Sequence, residues 1–344
     1  MPSMITLELW DFESWHALTV RRVQVAREAG ALVQLQFALN SLGLHRLLAG
    51  EVSAAARLVE EDRLIAEATG NPPVGYAALM LAAWQGREQE ASKLIDATVQ
   101  IATERGTGRL AGLAACASAV LYNGLGRYDA ARDAARQAFK RDQMALGRIV
   151  VAELAEAAAR TGDTALVKAA LDWLSERSRV TRTAWVLGIE ARVRALLSDG
   201  QTADGCYRDS IERLGQAGVR AELARSHLLY GEWLRRQGRR TEAREQLRTA
   251  CRMLQEMGMA AFAERARREL VATGETLGRG SGTTTSELTP QEVQITRLAR
   301  DGRSNREIGT LLFLSPRTVE WHLRKAFIKL GISSRGALHA ALPP

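Results

Sequence analysis

The 344-residue chain reads as all-α, and three features carry that reading. Residues 11–273 are rich in Ala, Leu, Arg and Glu and hold prolines only at Pro72 and Pro73. They lack runs of β-branched residues, so helix is favoured and strands have almost no place to form. A turn-and-restart signature, Gly-x-x-x-x-small, recurs six times along this segment, which marks it as repetitive. From Leu288 onward the pattern changes to short amphipathic helices with start signals of their own. The expected architecture is a helical-repeat domain over 1–273, a linker over 274–287 and a small helical domain over 288–344.

The repeat signature falls at Gly50–Ala55, Gly86–Ala91, Gly126–Ala131, Gly162–Val167, Gly200–Gly205 and Gly238–Ala243, with the glycines 36, 40, 36, 38 and 38 residues apart. Each Gly supplies the left-handed backbone that ends one helix, and the small residue five places on lets the next helix pack closely. Periodicity predicts helices near 11–29, 31–48, 51–69, 74–85, 88–105, 109–124, 128–142, 146–161, 164–177, 182–198, 203–216, 219–236, 241–257 and 259–273. One helix pair per repeat, stacked in series, makes an α-solenoid with a concave surface lined by the first helix of each pair. The units resemble tetratricopeptide repeats. The nearest are those with Tyr122, Gly126-Arg127-Tyr128 and Ala131, and with Tyr230-Gly231, Gly238, Ala243 and Ala250. The spacing here is longer than that family's, and its closing Pro is missing from most units. Asn40, His45, Trp84, Tyr122, Asn123, Trp185 and Trp233 sit on first helices, where they either line a groove for an effector or pack the interior. Large aromatics favour the second role.

Composition narrows the function. No stretch of eighteen apolar residues occurs, and the acidic N-terminus lacks a basic region followed by an apolar run, so neither a membrane span nor a signal peptide is expected. Cys116, Cys206 and Cys251 are few, odd in number and far apart, which fits packing roles in a reduced, cytoplasmic setting rather than disulfides or zinc. The net charge is +8, and residues 288–344 carry nine Lys or Arg against four acids, so most of the excess sits on the terminal segment. Residues 274–287, GETLGRGSGTTTSE, have the composition of a flexible tether, with an average reach of about 20 Å.

The terminal segment holds two capping boxes, Thr289 with Glu292 after which Pro290 starts the helix, and Ser304 with Glu307 after the Asp301-Gly302 stop. Ser315-Pro316 opens a third helix only a few residues after the second ends near Phe313, a helix-turn-helix spacing. On that third helix Val319, Leu323, Phe327 and Leu330 form an apolar stripe, while Arg317, Glu320, Trp321, Arg324 and Ile328 occupy the other side. Arg can bond guanine edges or phosphate, Glu can accept from cytosine and Trp offers apolar contact, so this face suits the major groove.

The pieces Leu288-Thr289-Pro290-Gln291-Glu292, Gly302 to Ile308, Ser315 to Leu323 and Lys329 to Arg335 together resemble the DNA-binding domain of the LuxR/GerE family. The resemblance implies a transcription regulator that binds double-stranded promoter DNA and works with RNA polymerase. It places Arg317, Glu320, Trp321 and Arg324 at base edges. Thr318, Lys325 and Lys329 would lie at the backbone, and Ser304, Asn305 and Arg306 at a phosphate by the second helix N-terminus. Ser304 serves equally as a plain N-cap. It implies core roles for Ile308, Leu311, Leu312, Val319 and Leu323, and a fourth short helix over 334–341 that supports a homodimer. Glu320 and Trp321 depart from the family, which often has a basic residue at the first position and a smaller residue or Tyr at the second.

Repeats followed by such a domain resemble the C-terminal part of large ATP-binding LuxR-type regulators. No Gly-x-x-x-x-Gly-Lys-Ser/Thr loop occurs, so the ATP-dependent switch is not carried over, and the chain reads as a short member or a fragment. Gly-x-Ser-x-Gly, His-Glu-x-x-His and dinucleotide fingerprints are also missing, and His16, His45, His227, His322 and His339 are scattered. A regulator without cofactor or enzyme activity is therefore expected. The alternative is an interaction scaffold whose terminal domain serves dimerisation only.

Overall fold

The computed structural model describes residues 2–140, 146–275, 290–312, 314–330, 332 and 334–338. The chain divides into two compact units, Met1–Glu275 and Thr276–Pro344. The first holds α1 (Pro2–Glu8), α2 (Phe12–Glu28), α3 (Leu32–Leu48), α4 (Val52–Thr69), α5 (Tyr76–Gln85), α6 (Glu88–Glu104), α7 (Gly108–Leu125) and α8 (Tyr128–Lys140). It continues with α9 (Leu146–Arg160), α10 (Thr164–Thr181), α11 (Ala184–Leu196), α12 (Gly200–Ala217), α13 (Arg220–Arg236), α14 (Arg240–Glu256) and α15 (Ala260–Ala272). The second unit holds α16 (Pro290–Arg300), α17 (Asn305–Leu312), α18 (Pro316–Leu330) and a 3-10 turn at Arg335–Ala337. Among the described residues there is no strand. Among the described residues of the first unit the only helix not foreseen is α1, seven residues long and too short to show a period.

Six helix pairs, α3/α4 through α13/α14, build the repeat unit. Five turn at the foreseen left-handed glycines, Gly50, Gly86, Gly126, Gly162 and Gly238. Five residues further on, Ala55, Ala91, Ala131, Val167 and Ala243 are buried under the facing helix. The pair α11/α12 differs: α11 ends at Leu196, Gly200 opens α12, and Ala203 is the buried small residue while Gly205 is exposed. The signature there is out of register by two positions, because the turn closes before the glycine. Gly231 shows how closely the helices of a pair approach, since a Cβ there would lie 2.6 Å from Leu247 Cγ.

The second helices also end in left-handed residues, at Gly70, Gly106, Gly218 and Gly258, but α10 ends at Arg182 with φ 51°. An L side chain in that region costs about 1–2 kcal/mol, part of which glycine gives back through its freer unfolded chain. Replacing the exposed Arg182 by Gly should raise stability by about 0.5–1 kcal/mol, read as a higher denaturation midpoint with an unchanged m-value.

In a simple solenoid each repeat touches only its neighbours. Here the array curls until distant helices meet across the inner face. Phe262 of α15 packs on Trp84 of α5 with ring centroids 5.3 Å apart, and a Cβ on Gly86 would strike Ala261. Trp10, in the turn after α1, meets Trp185 of α11 at 5.0 Å, and Phe12 and Trp15 flank the same ring. Of the residues placed on first helices by sequence, Asn40, His45, Trp84, Asn123, Trp185 and Trp233 are all buried, and Tyr122 is half-buried. They pack the interior rather than line an open groove.

Charged side chains fill the remainder of that interior. Arg225 of α13 pairs with Glu153 and Glu156 of α9, and Arg265 of α15 bridges Glu156 and Glu232. Asn123 Nδ2 donates to Glu153 at 2.7 Å, and its backbone carbonyl accepts from Arg265 at 3.1 Å. Arg192 of α11 binds Glu222 at 2.5 Å, and Arg160 pairs with Glu232. Burial alone would push the Glu156 carboxyl up, but the guanidinium groups of Arg225 and Arg265 outweigh it and hold it well below the usual carboxylate range. Four first helices and α15 are tied together by these pairs.

The terminal unit has its own core of Ile295, Ala299, Ile308, Val319, Leu323, Ala326 and Leu338, with Leu312, Phe327 and Leu330 packed against it. Leu311, expected inside, is 54% exposed, and Ile308 and Leu312 are the residues that bring α17 into the core. The described part of the fourth element is a 3-10 turn rather than a helix, and residues 339–341 lie outside the described residues.

Candidate nucleic-acid interface

Two caps fix the geometry of α17 and α18. Ser304 N and Oγ donate to Glu307 Oε2 at 2.7 and 2.8 Å, and Glu307 N donates back to Ser304 Oγ at 3.3 Å. These bonds from Ser304 backbone and hydroxyl hold the Glu307 carboxyl below its ordinary range. Ser315 Oγ accepts from Thr318 N at 3.0 Å and lies 2.7 Å from the Thr318 hydroxyl, starting α18 in the same way. Leu314 N donates to Gly309 O at 2.8 Å and closes the tight turn between the two helices.

Burying Val319, Leu323 and Ala326 leaves the opposite side of α18 to Arg317, Glu320, Trp321, Arg324 and Lys325, all exposed. Trp321 is 53% exposed, unusual for so large an apolar ring, and the Lys325 ammonium lies 3.8 Å from its centroid. Arg306, Arg317 and Arg324 pair with no acid among the described residues, so three guanidinium groups stand open to solvent on or beside one helix face. A basic face of this kind, with an aromatic within it, offers donors for phosphate and base edges together.

Other foreseen residues are already engaged. Lys329, expected at the DNA backbone, is largely buried with its ammonium bound to Glu292 Oε2. Glu292, expected to cap Thr289, is itself buried at 3% exposure, and Thr289 lies outside the described residues. Asn305 Oδ1 accepts from Arg335 at 2.8 Å, and Arg335 also reaches the carbonyls of Ala299 and Arg303. That arginine, not singled out from sequence, clamps the C-terminal turn to the start of α17. Its signal was present only as one charge after a Gly-Ile-Ser-Ser run. His322 is half-buried with its ring edge-on to Trp321, and the side chain of Ile328 lies outside the description.

The family described as bacterial regulatory proteins, luxR family, matches residues 286–340. This segment is a LuxR-type helix-turn-helix domain. The LuxR-type domain is also 50% identical over 48 residues to proteins of Mycobacterium bovis and of two Mycobacterium tuberculosis strains, each bearing in its name the words HTH-type transcriptional regulator. The match takes in 14% of this chain and spans only about 5% of the length of those curated relatives, so the likeness is one of the LuxR-type domain alone. In that domain α17 and α18 are the helix-turn-helix pair, and α18 carries the open basic face.

Among the described residues no three His, Cys, Asp or Glu side chains gather where they could hold a metal ion. No described helix is long and apolar enough to cross a membrane.

Proposed function

We propose that this chain is a sequence-specific DNA-binding transcription regulator whose α18 enters the major groove. The observation that carries the reading is the open face of α18, where Arg317, Glu320, Trp321 and Arg324 stand exposed beside Lys325 in a LuxR-type domain. Arg317 and Arg324 are assigned to guanine edges, Glu320 to a cytosine amino group and Trp321 to apolar contact. Arg306, Lys325 and the Thr318 region approach phosphates, and the α17 start at Ser304 and Asn305 orients Arg306 rather than binding directly. Lys329 acts inside the domain through Glu292. The repeat domain receives a protein or small-molecule signal and passes it to RNA polymerase at the promoter. Residues 274–287 tether the two parts, and residues 334–341 pair two copies on a two-fold site.

Three substitutions separate these roles. Arg324→Ala weakens specific binding by about 1–3 kcal/mol and relaxes the preference at one base position. Lys325→Ala weakens binding to all sequences alike and makes the salt dependence shallower by about one unit. Lys329→Met takes the ammonium away from the buried Glu292 carboxylate, so it lowers the melting temperature of the terminal domain before it touches affinity. Fluorescence anisotropy on duplex DNA beside thermal melts distinguishes the three. Equal affinity loss from all three, without change in salt slope or melting, contradicts the assignment.

A further inference from the structure

The geometry points to a second binding site, in the repeat unit, for an amphipathic monoanion with an apolar body. A cavity of about 460 Å³ opens where the N-terminal ends of α3, α5 and α7 meet the α4–α5 loop and the last turns of α6. That volume lies within the range of small-molecule sites. Its walls are apolar, and three of its side chains, Val33, Phe37 and Ile101, remain 47%, 46% and 38% exposed although large and apolar. Pro72 and Pro73 stiffen the loop that forms one wall, so the space is held open by backbone rather than by a hinge.

The charge of the ligand follows from the lining. Among the residues that line the cavity there is no acid and one cation, Arg105, at the C-terminal end of α6. Its guanidinium is exposed and pairs with no acid among the described residues. The nearest buried acid, Asp62, is already satisfied by Gln36 Nε2 at 3.0 Å, Asn40 Nδ2 at 2.8 Å and Gly75 N at 3.3 Å. That network fixes the floor and leaves no carboxylate to receive a cationic head. A ligand with an acyl or aromatic body in the cavity and a carboxylate on Arg105 meets both features. The site is distinct from the inner face of the helical array, which aromatic and charged side chains fill.

The assignment deepens the signal-receiving role proposed above and depends on it only for its regulatory meaning, so binding is measured without DNA. Calorimetry on the full chain compares dodecanoate, dodecanol and dodecyltrimethylammonium below their micelle concentrations. Dodecanoate is expected to bind one per chain and about tenfold or more tighter than the cation. Arg105→Gln lowers dodecanoate affinity about five- to tenfold and leaves dodecanol unchanged. Ala97→Trp, which fills the cavity from an exposed position on α6, abolishes binding of both while the thermal melt stays that of wild type. Equal affinity for all three head groups, or dodecanoate binding that survives Ala97→Trp, overturns the proposal. A dodecanoate site that meets these tests but leaves DNA affinity unchanged retains the binding site and removes its regulatory meaning.

Discussion

Replacing Arg225 by Met lowers the unfolding free energy by about 3–5 kcal/mol, the largest single-residue effect expected in the repeat unit. Arg225 is fully buried between Glu153 and Glu156, and its guanidinium also lies 4.7 Å from the Phe262 ring. Taking it away leaves Glu153 with the Asn123 amide but no paired cation, beside a Glu156 that keeps Arg265, so in this low-dielectric interior Glu153 must either stay charged unpaired or take up a proton. The loss therefore comes from the groups left behind, not from the pair's own net attraction. It follows that Glu153→Gln and Glu156→Gln placed in the Arg225→Met background should recover much of it. Denaturant unfolding of the single and combined variants gives the coupling, expected at about 1–3 kcal/mol. Additive effects within about 0.5 kcal/mol show that the network is not acting as one unit.

The second large effect is acid sensitivity at His45. Its ring is 5% exposed and stacks on Phe12 at 4.0 Å and His16 at 4.7 Å, beside Trp15. Burial first, then the neighbouring His16 and Arg46, push its pKa from the ordinary 6.5 down to about 3. The unfolded chain takes up this proton near pH 6.5, whereas the folded chain refuses it until about pH 3. Between those values the unfolded state holds more protons, so stability falls as pH falls, by up to about 1.4 kcal/mol per unit. At pH 4.5 the His45 contribution reaches about 3 kcal/mol. His45→Phe keeps the stacking and removes the titration. Its loss of stability from pH 7.5 to 4.5 should be smaller than wild type by about that amount. Parallel losses in the two proteins count against a neutral buried His45.

These two predictions rest on features that local pattern does not expose. Helix positions were legible, as with α6 at Glu88–Glu104 and α13 at Arg220–Arg236, because Ala- and Leu-rich periods and positive-φ glycines act within a few residues. The Gly200 repeat was misjudged by two positions because Ser198-Asp199 closes the turn without a glycine of its own. The charge network was missed because Glu153, Glu156, Arg225 and Arg265 look like ordinary polar faces until helices 109 positions apart in sequence meet. Curling of the array is a long-range outcome, and it decides for packing over groove lining at Trp84 and Trp185, the role that large aromatics favoured from sequence. In the terminal domain the Ser304–Glu307 box and the buried stripe of Val319 and Leu323 were readable from spacing. The Lys329–Glu292 pair was not, because it links α18 to α16 across 37 residues, and spacing on one helix says nothing about a partner on another.

The central claim is that the exposed basic face of α18 reads DNA, and salt dependence tests it most directly. Binding of the full chain to duplex promoter fragments, followed by anisotropy from 50 to 200 mM salt, should give log K against log salt with a slope of about −3 or steeper. The combined Arg317→Ala, Arg324→Ala and Lys325→Ala variant, altered only at exposed positions, should keep its thermal melt and lose that binding. Undetectable binding by the wild-type chain, binding that does not change with salt, or a triple variant that binds as wild type does would contradict the claim.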